Sequence, residues 1–267
     1  MHPVLVELGP FSLRFYGLMY VIGIVLAIVM LQREVKRKGL PLTEDGVANF
    51  VMVLVFGGIL GARLYYVAFN WDYYRAQPWS IPAVWQGGLA IHGGLIGGLL
   101  AGVSFARRRR IPLWRLGDTI APNLILGQAL GRFGNFMNGD AHGVPTDLPW
   151  GVVFAPNTPA SLQFGATPLH PVMLYEMAIN LSIFAVLWKL RTRPFRDGFL
   201  FGLYLLLYSA GRFVVEFFRA DSLMLGPLRA AQVVSLLAIL GVAALLWRAQ
   251  LWATSPQPQA AVHAGDR

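Results

Sequence analysis

Seven apolar segments run through this chain, each as long or nearly as long as the roughly 20 residues that a helix needs to cross a hydrocarbon core. They are Phe15–Leu31, Val47–Phe69, Leu89–Ala106, Leu116–Phe136, Pro171–Trp188, Phe199–Phe218 and Ala230–Trp247. Within lipid every backbone N–H and C=O must find its partner inside the protein, so single runs of this length become helices. Composition agrees: 56% of the 267 residues are hydrophobic and 13% are charged, well short of the quarter or so that a watery surface carries. The expected architecture is all-α, a polytopic membrane protein with seven transmembrane helices forming one domain over residues 1–252. The stretch 253–267, rich in Ala, Pro, Ser and Gln without apolar periodicity, is expected to be a disordered tail.

Charge supplies the orientation. The 22 Lys and Arg outnumber the 13 Asp and Glu, yet a nucleic-acid surface needs its cations on one continuous face. Here they fall in alternate loops: Arg33, Lys36, Arg37 and Lys38, then Arg107 to Arg110 with Arg115, then Lys189, Arg191, Arg193 and Arg196. The segment from Asn135 to His170 has no Lys or Arg, and Asn70 to Gly88 has only Arg75. Basic loops stay on the cytoplasmic side, which puts the N-terminus outside and the C-terminus in the cytoplasm. No basic start followed by a cleavage site opens the chain, so a removable signal peptide is not expected. Gln128 to His170 is the longest outward connection, Gly-, Pro- and Asn-rich, with Trp150 and Phe154 suited to the membrane interface. It predicts a small outer cap between the fourth and fifth helices. The chain contains no cysteine, which excludes a disulfide framework, a thiol nucleophile and a thiolate metal site of its own.

Polar groups inside such helices are costly and usually functional. The densest run is Gly131-Arg132-Phe133-Gly134-Asn135-Phe136-Met137-Asn138-Gly139-Asp140-Ala141-His142-Gly143. Arg132 and Arg212 both fall near the outer leaflet in this topology, and two guanidiniums without a matching carboxylate beside each suit a phosphate; snorkelling to the interface is the competing account for each. Tyr208, Arg212, Glu216 and Arg219 are spaced by four, four and three and share one helix face, with an Arg212–Glu216 ion pair as the plainer reading. His92 opens the third helix among Gly93, Gly94, Gly97 and Gly98. The glycines form a close-packing stripe, and the imidazole is suited either to proton transfer or to a hydrogen bond within the packed helices. Arg14-Phe15-Tyr16-Gly17 and His170-Pro171-Val172-Met173-Leu174-Tyr175-Glu176 open two further helices. Tyr20 and Tyr175 suit interface anchoring, and Glu176 requires a partner such as an arginine. Asp140 and His142 are too few for a metal site.

Taken in order, Arg14-Phe-Tyr16-Gly, Gly-x-x-x-Gly61-Ala-Arg63, Trp85-Gln-Gly-Gly with His92-Gly-Gly, the Gly131–Gly143 run, His170-Pro-x-x-Leu-Tyr-Glu176 and Gly211-Arg-Phe-x-x-Glu-x-x-Arg219 resemble the prolipoprotein diacylglyceryl transferases over almost the whole chain. One departure stands out, Asp140 where that family has Glu. The resemblance implies transfer of diacylglyceryl from phosphatidylglycerol to the lipobox cysteine of a preprolipoprotein, giving a thioether and glycerol phosphate. It implies catalytic roles for His92, Arg132, Arg212, Tyr16 and Asp140. Substrate contacts would come from Arg132, Asn135, Asn138, Gly143, Tyr208, Arg212, Glu216 and Arg219. No metal or cofactor is implied. The partners are phosphatidylglycerol, membrane lipid and the signal peptide of preprolipoproteins, not nucleic acid, and the location is the bacterial cytoplasmic (inner) membrane with the site toward the outer leaflet. A transporter or flippase for an anionic lipid or metabolite is the alternative from another class. The odd helix number and the lack of an internal repeat count against it. A binding factor that merely holds lipoproteins is a third reading.

Overall fold

The computed structural model describes residues 4–8 and 11–254 and is mostly helical. In chain order the helices are α1 (Phe15–Lys38), α2 (Glu44–Phe69), α3 (Trp71–Ala76), α4 (Ile91–Arg108), α5 (Leu113–Asn138), α6 (Pro159–Phe164), α7 (Val172–Leu190), α8 (Phe199–Val215) and α9 (Ala230–Ala249). Each of the seven apolar segments lies on a helix of its own, with α3 and α6 as short additions. Several helices outrun the apolar segment that announced them, because hydropathy marks what lipid accepts while caps and charges decide where a helix stops. The polar end of α1 continues through Lys36, Arg37 and Lys38, where cations meet the negative end of the helix dipole. α2 starts three residues early because Thr43 Oγ1 accepts the Gly46 N–H at 3.1 Å, a side-chain cap on one of the orphan donors of the first turn.

Among the described residues α1, α2, α7, α9 and α8 with its extension to Phe218 are long and apolar enough to cross a membrane. α4 ends in Arg107 and Arg108, and α5 carries Asp118, Asn123, Gln128 and Arg132 along its length, so neither meets that measure. Only 6% of the most apolar stretch of α1 and 11% of that of α9 are buried within the protein. Apolar surface on this scale needs a covering, and lipid supplies it.

Two small antiparallel hairpins accompany the helices. β1 (Val4–Leu8) pairs with β2 (Phe11–Arg14) ahead of α1, and β3 (Met224–Leu225) pairs with β4 (Leu228–Arg229) ahead of α9. The two-residue strands β3 and β4 are too short to leave an alternating pattern in a sequence. Ala253 O accepts the Arg196 N–H at 3.3 Å and Thr254 bridges Phe195; the rest of the expected tail, 255–267, lies outside the described residues.

The chain divides into two compact units, Leu26–Thr119 and Met1–Val25 with Ile120–Arg267. Within the first, α2 and α4 pack backbone to backbone. A Cβ on Gly97 would lie 2.2 Å from Gly57 O, and one on Gly61 would lie 2.3 Å from Gly93 O. The glycine stripe of α4 is therefore filled by α2. Arg63, on α2 and buried, donates to four carbonyls: Ser80 at 2.5 Å, Ile81 at 2.7 Å, Gly87 at 2.6 Å and Gly88 at 3.0 Å. Its charge pins the α3–α4 connection, and a buried cation so fully bonded needs no further role.

In the second unit α5, α7 and α8 share a core of Ala121, Ile125, Ile183, Leu187, Leu200 and Tyr204. The α5–α7 connection folds compactly around Phe154, Ala160, Leu169 and Met173. Gly139 begins it at φ +74° and caps α5, its N–H meeting Asn135 O at 2.8 Å. Side-chain-bearing residues rarely adopt that conformation, and a Cβ there would also press to 2.7 Å from the Thr158 side chain.

Candidate active site

Glu176 sits in the first turns of α7 and is buried, only 4% exposed. Three guanidiniums from different places in the chain converge on it. Arg132 Nε, from α5, contacts Oε2. Arg212 Nη1, from α8, donates to Oε1 at 2.7 Å, and Arg219 Nη1 donates to the same oxygen at 3.1 Å. Arg212 Nη2 also reaches Glu216 Oε2 at 2.6 Å, while Arg219 is held in a fork by Asp221 at 2.8 and 3.0 Å. Burial opposes the charge of Arg219, but Asp221 and Glu176 outweigh it and hold its pKa above the ordinary value. The expectation of two arginines without carboxylates beside them is thus corrected: Glu176 lies between Arg132 and Arg212, and Glu216 adjoins the latter. Burying a lone carboxylate costs its full desolvation, and three cations beside Glu176 offset that cost while it holds them together. Arg132 and Arg212 remain 24% and 20% exposed, so each still presents an edge to an anion.

From Arg132 a polar chain runs to the end of α5. Arg132 Nη1 donates to Asn135 Oδ1 at 3.2 Å, and Asn135 Nδ2 donates to both Asp140 oxygens at 3.1 Å. The Asn135 amide is therefore oriented at both ends, and the short carboxylate of Asp140 is long enough to reach it because Gly139 turns the chain back. Tyr16 packs on α5 where Gly134 leaves room; a Cβ there would lie 2.9 Å from its ring. The phenol bonds Tyr20 at 3.1 Å and lies within electrostatic reach of Asp140 and Arg132.

The other expected residues divide. Gly143 is buried and bridges Arg219, and a Cβ on it would lie 2.5 Å from His170 O. Its place is a close backbone approach that seats Arg219. Tyr208, one turn before Arg212, stacks at 6.1 Å on Tyr204, whose hydroxyl accepts from Gln128 at 3.0 Å. Asn138 is the last residue of α5. His142 is buried with Nε2 2.8 Å from Gln163 Oε1. Tyr175, expected as an interface anchor, accepts Trp150 Nε1–H at 2.7 Å and meets His170 Nδ1 at 3.2 Å, tying α7 to the α5–α7 connection.

His92 belongs to the other unit and differs from expectation. It stands in the first turn of α4 with its side chain exposed, its ring 6.1 Å from that of Tyr65. The imidazole is not enclosed among packed helices. Its neighbour Gly93 is the buried one, filled by Gly61 O and the Tyr65 Cβ at 2.3 Å, so the glycines leave no gap for another chain. Sequence reasoning also missed Arg229, which bonds the backbone beneath the cluster. A lone arginine at a loop end gave no signal by spacing.

A polytopic helical membrane protein with a buried arginine–carboxylate centre is the class that fold and site define. The model of the prolipoprotein diacylglyceryl transferase family matches residues 3–248. Over 256 residues the chain is 46% identical to a phosphatidylglycerol–prolipoprotein diacylglyceryl transferase of Trichormus variabilis, covering 92% of this chain and 89% of that protein. A Synechococcus elongatus protein of the same name is 45% identical over 92% of this chain and 86% of its own, and a Bacillus cereus one 45% identical over 87% and 86%. The chain belongs to the prolipoprotein diacylglyceryl transferase family, and it is an enzyme of lipoprotein biosynthesis.

Proposed function

We propose that this protein transfers the diacylglyceryl group of phosphatidylglycerol to the thiol of the lipobox cysteine in the signal peptide of a preprolipoprotein. The observation that carries the reading is the convergence of Arg132, Arg212 and Arg219 on Glu176, in a chain whose relatives bear the name of this reaction. The substrate sulfur, as thiolate, attacks the glyceryl carbon that bears the phosphate ester. The new S–C bond forms as the C–O bond breaks, and glycerol phosphate leaves with the bonding pair. His92 takes the thiol proton, while the exposed edges of Arg132 and Arg212 hold the phosphate and stabilise its growing charge. Glu176 and Glu216 orient the two guanidiniums, and Asp140 does so at one remove through Asn135. Tyr16 and Asn138 flank the lipid headgroup, and Tyr208 lies one helical turn from Arg212. Both substrates are membrane-borne, so side entry from lipid fits the outward apolar faces of α1 and α9.

The orientation belongs to the same proposal. All seven long helices cross the bacterial cytoplasmic membrane, α4 and α5 included, with the α5–α7 connection outside and the Arg107–Arg110 turn in the cytoplasm, as the Lys and Arg distribution requires. Single cysteines placed in this cysteine-free chain test it. A cysteine at Thr146 is expected to react with an impermeant maleimide on intact cells, and one at Arg109 only after lysis; the reverse pattern would overturn the topology. The reaction is tested with purified protein, phosphatidylglycerol and a lipobox peptide, followed by mass spectrometry. The expected product is the peptide with a thioether-linked diacylglyceryl group, and no adduct in any liposome or detergent would return the transporter reading.

A further inference from the structure

The connection between α8 and α9 carries a cation that the transfer chemistry above does not use. Arg229 closes β4 immediately before α9. Its Nη1 donates to the carbonyl of Glu216, to the carbonyl of Arg219 at 3.3 Å and to Ser222 Oγ at 3.3 Å. Both carbonyls belong to residues whose side chains enter the Glu176 cluster. They also flank the point where α8 gives way to a single 3-10 turn, Glu216–Phe218, after which Arg219 is extended at φ −82° and ψ 139°.

That turn matters for aim. A 3-10 turn has about three residues per turn, so side chains three apart nearly eclipse, whereas in an α-helix they share a face but stand about 60° apart. Glu216 and Arg219 are three apart, and the tightened turn brings both toward Arg212 and Glu176. The geometry at such a helix end is weakly held, because its last carbonyls have lost their intrahelical donors. Arg219 N returns to Glu216 O at 3.3 Å, a long bond. A guanidinium on the same carbonyls supplies the missing donor and places positive charge at the negative end of the helix dipole. The hairpin that delivers it has an exposed tip at Leu223, Met224, Leu225 and Leu228, so its root contacts fix it rather than core packing.

We propose that Arg229 is a positioning residue for the transfer reaction: it holds the 3-10 turn closed so that Glu216 and Arg219 stay aimed at Arg212 and Glu176. The activity part rests on the proposed function; the structural part does not. Full-length Arg229→Gln, Arg229→Lys and Ser222→Ala, in phosphatidylglycerol vesicles with a lipobox peptide, test both. Arg229→Gln is expected to lower kcat roughly tenfold, the order of losing a charged hydrogen bond, with KM for the peptide within about twofold and an unfolding temperature near the parent's. Arg229→Lys, whose ammonium reaches one carbonyl, recovers at least half of the lost rate, and Ser222→Ala matches the parent. Hydrogen exchange of the 216–222 backbone rises in Arg229→Gln, a readout that needs no substrate. Parent-like kcat in Arg229→Gln overturns the proposal. So does unchanged exchange over 216–222, or a loss that tracks the folded fraction and is not relieved by lysine. A parent that forms no adduct overturns the reaction instead, and the exchange result still decides whether Arg229 holds the turn.

Discussion

Arg212→Lys is expected to reduce diacylglyceryl transfer by roughly 100-fold while the protein remains folded. One ammonium cannot do what the guanidinium does here: Nη1 donates to Glu176 Oε1 at 2.7 Å while Nη2 reaches Glu216 Oε2 at 2.6 Å. Lysine retains the charge and loses the fork. It would satisfy one carboxylate and leave the other without its cation, and the edge offered to phosphate would be gone. Loss of one charged hydrogen bond costs about 1.5–3 kcal/mol, so a substitution that disturbs two contacts and the anion site falls near the upper end, close to two powers of ten in rate. The check is a turnover assay of Arg212→Lys beside Arg37→Lys, whose partner Glu34 lies in the other unit. Arg37→Lys is expected to turn over like the parent. If Arg212→Lys did so too, Arg212 would be only an interfacial arginine and its proposed hold on phosphate would fall.

His92→Gln is expected to have an effect of similar or greater size and a different signature. A free thiol is mostly protonated at neutral pH and the thiolate is the attacking form, so removing the base costs about 10²–10⁴ in rate. Raising the pH supplies thiolate without the base and should restore part of the rate. Phosphatidylglycerol binding should be nearly unchanged, since the arginines proposed to hold phosphate are intact. The exposed setting of His92 at the start of α4 favours this role over a buried packing one, because a base must meet a substrate proton and pass it on. A variant that lost lipid binding in step with activity, with no recovery at high pH, would make His92 a phosphate ligand.

What a linear reading could recover depended on the range of the interaction concerned. Arg212 and Glu216 are four apart on one helix, and their pairing followed from spacing because a helix fixes which residues share a face. The meeting of Arg132, Glu176 and Arg219 did not, since it depends on how α5, α7 and the end of α8 are rotated against one another, and no periodicity encodes that rotation. For the same reason the sequence supported a pair of arginines open to phosphate and did not show the carboxylate between them. At His92 four nearby glycines marked a packed helix face, while the histidine itself lies off that face and is exposed.

The amino-acid order by itself determined that this chain is a helical membrane protein and where its long helices lie, because lipid leaves a backbone no other single-segment solution. The ordered polar motifs were enough to resemble one family, since each sits at a fixed place relative to a helix end. Only the tertiary structure decided which charges meet. Desolvation makes a buried charge tolerable only beside its partner, and that partner is chosen by packing: Glu176 by the approach of three arginines, Arg219 by Gly143 and Asp221, and the turn beneath them by Arg229, a residue with no pattern to announce it.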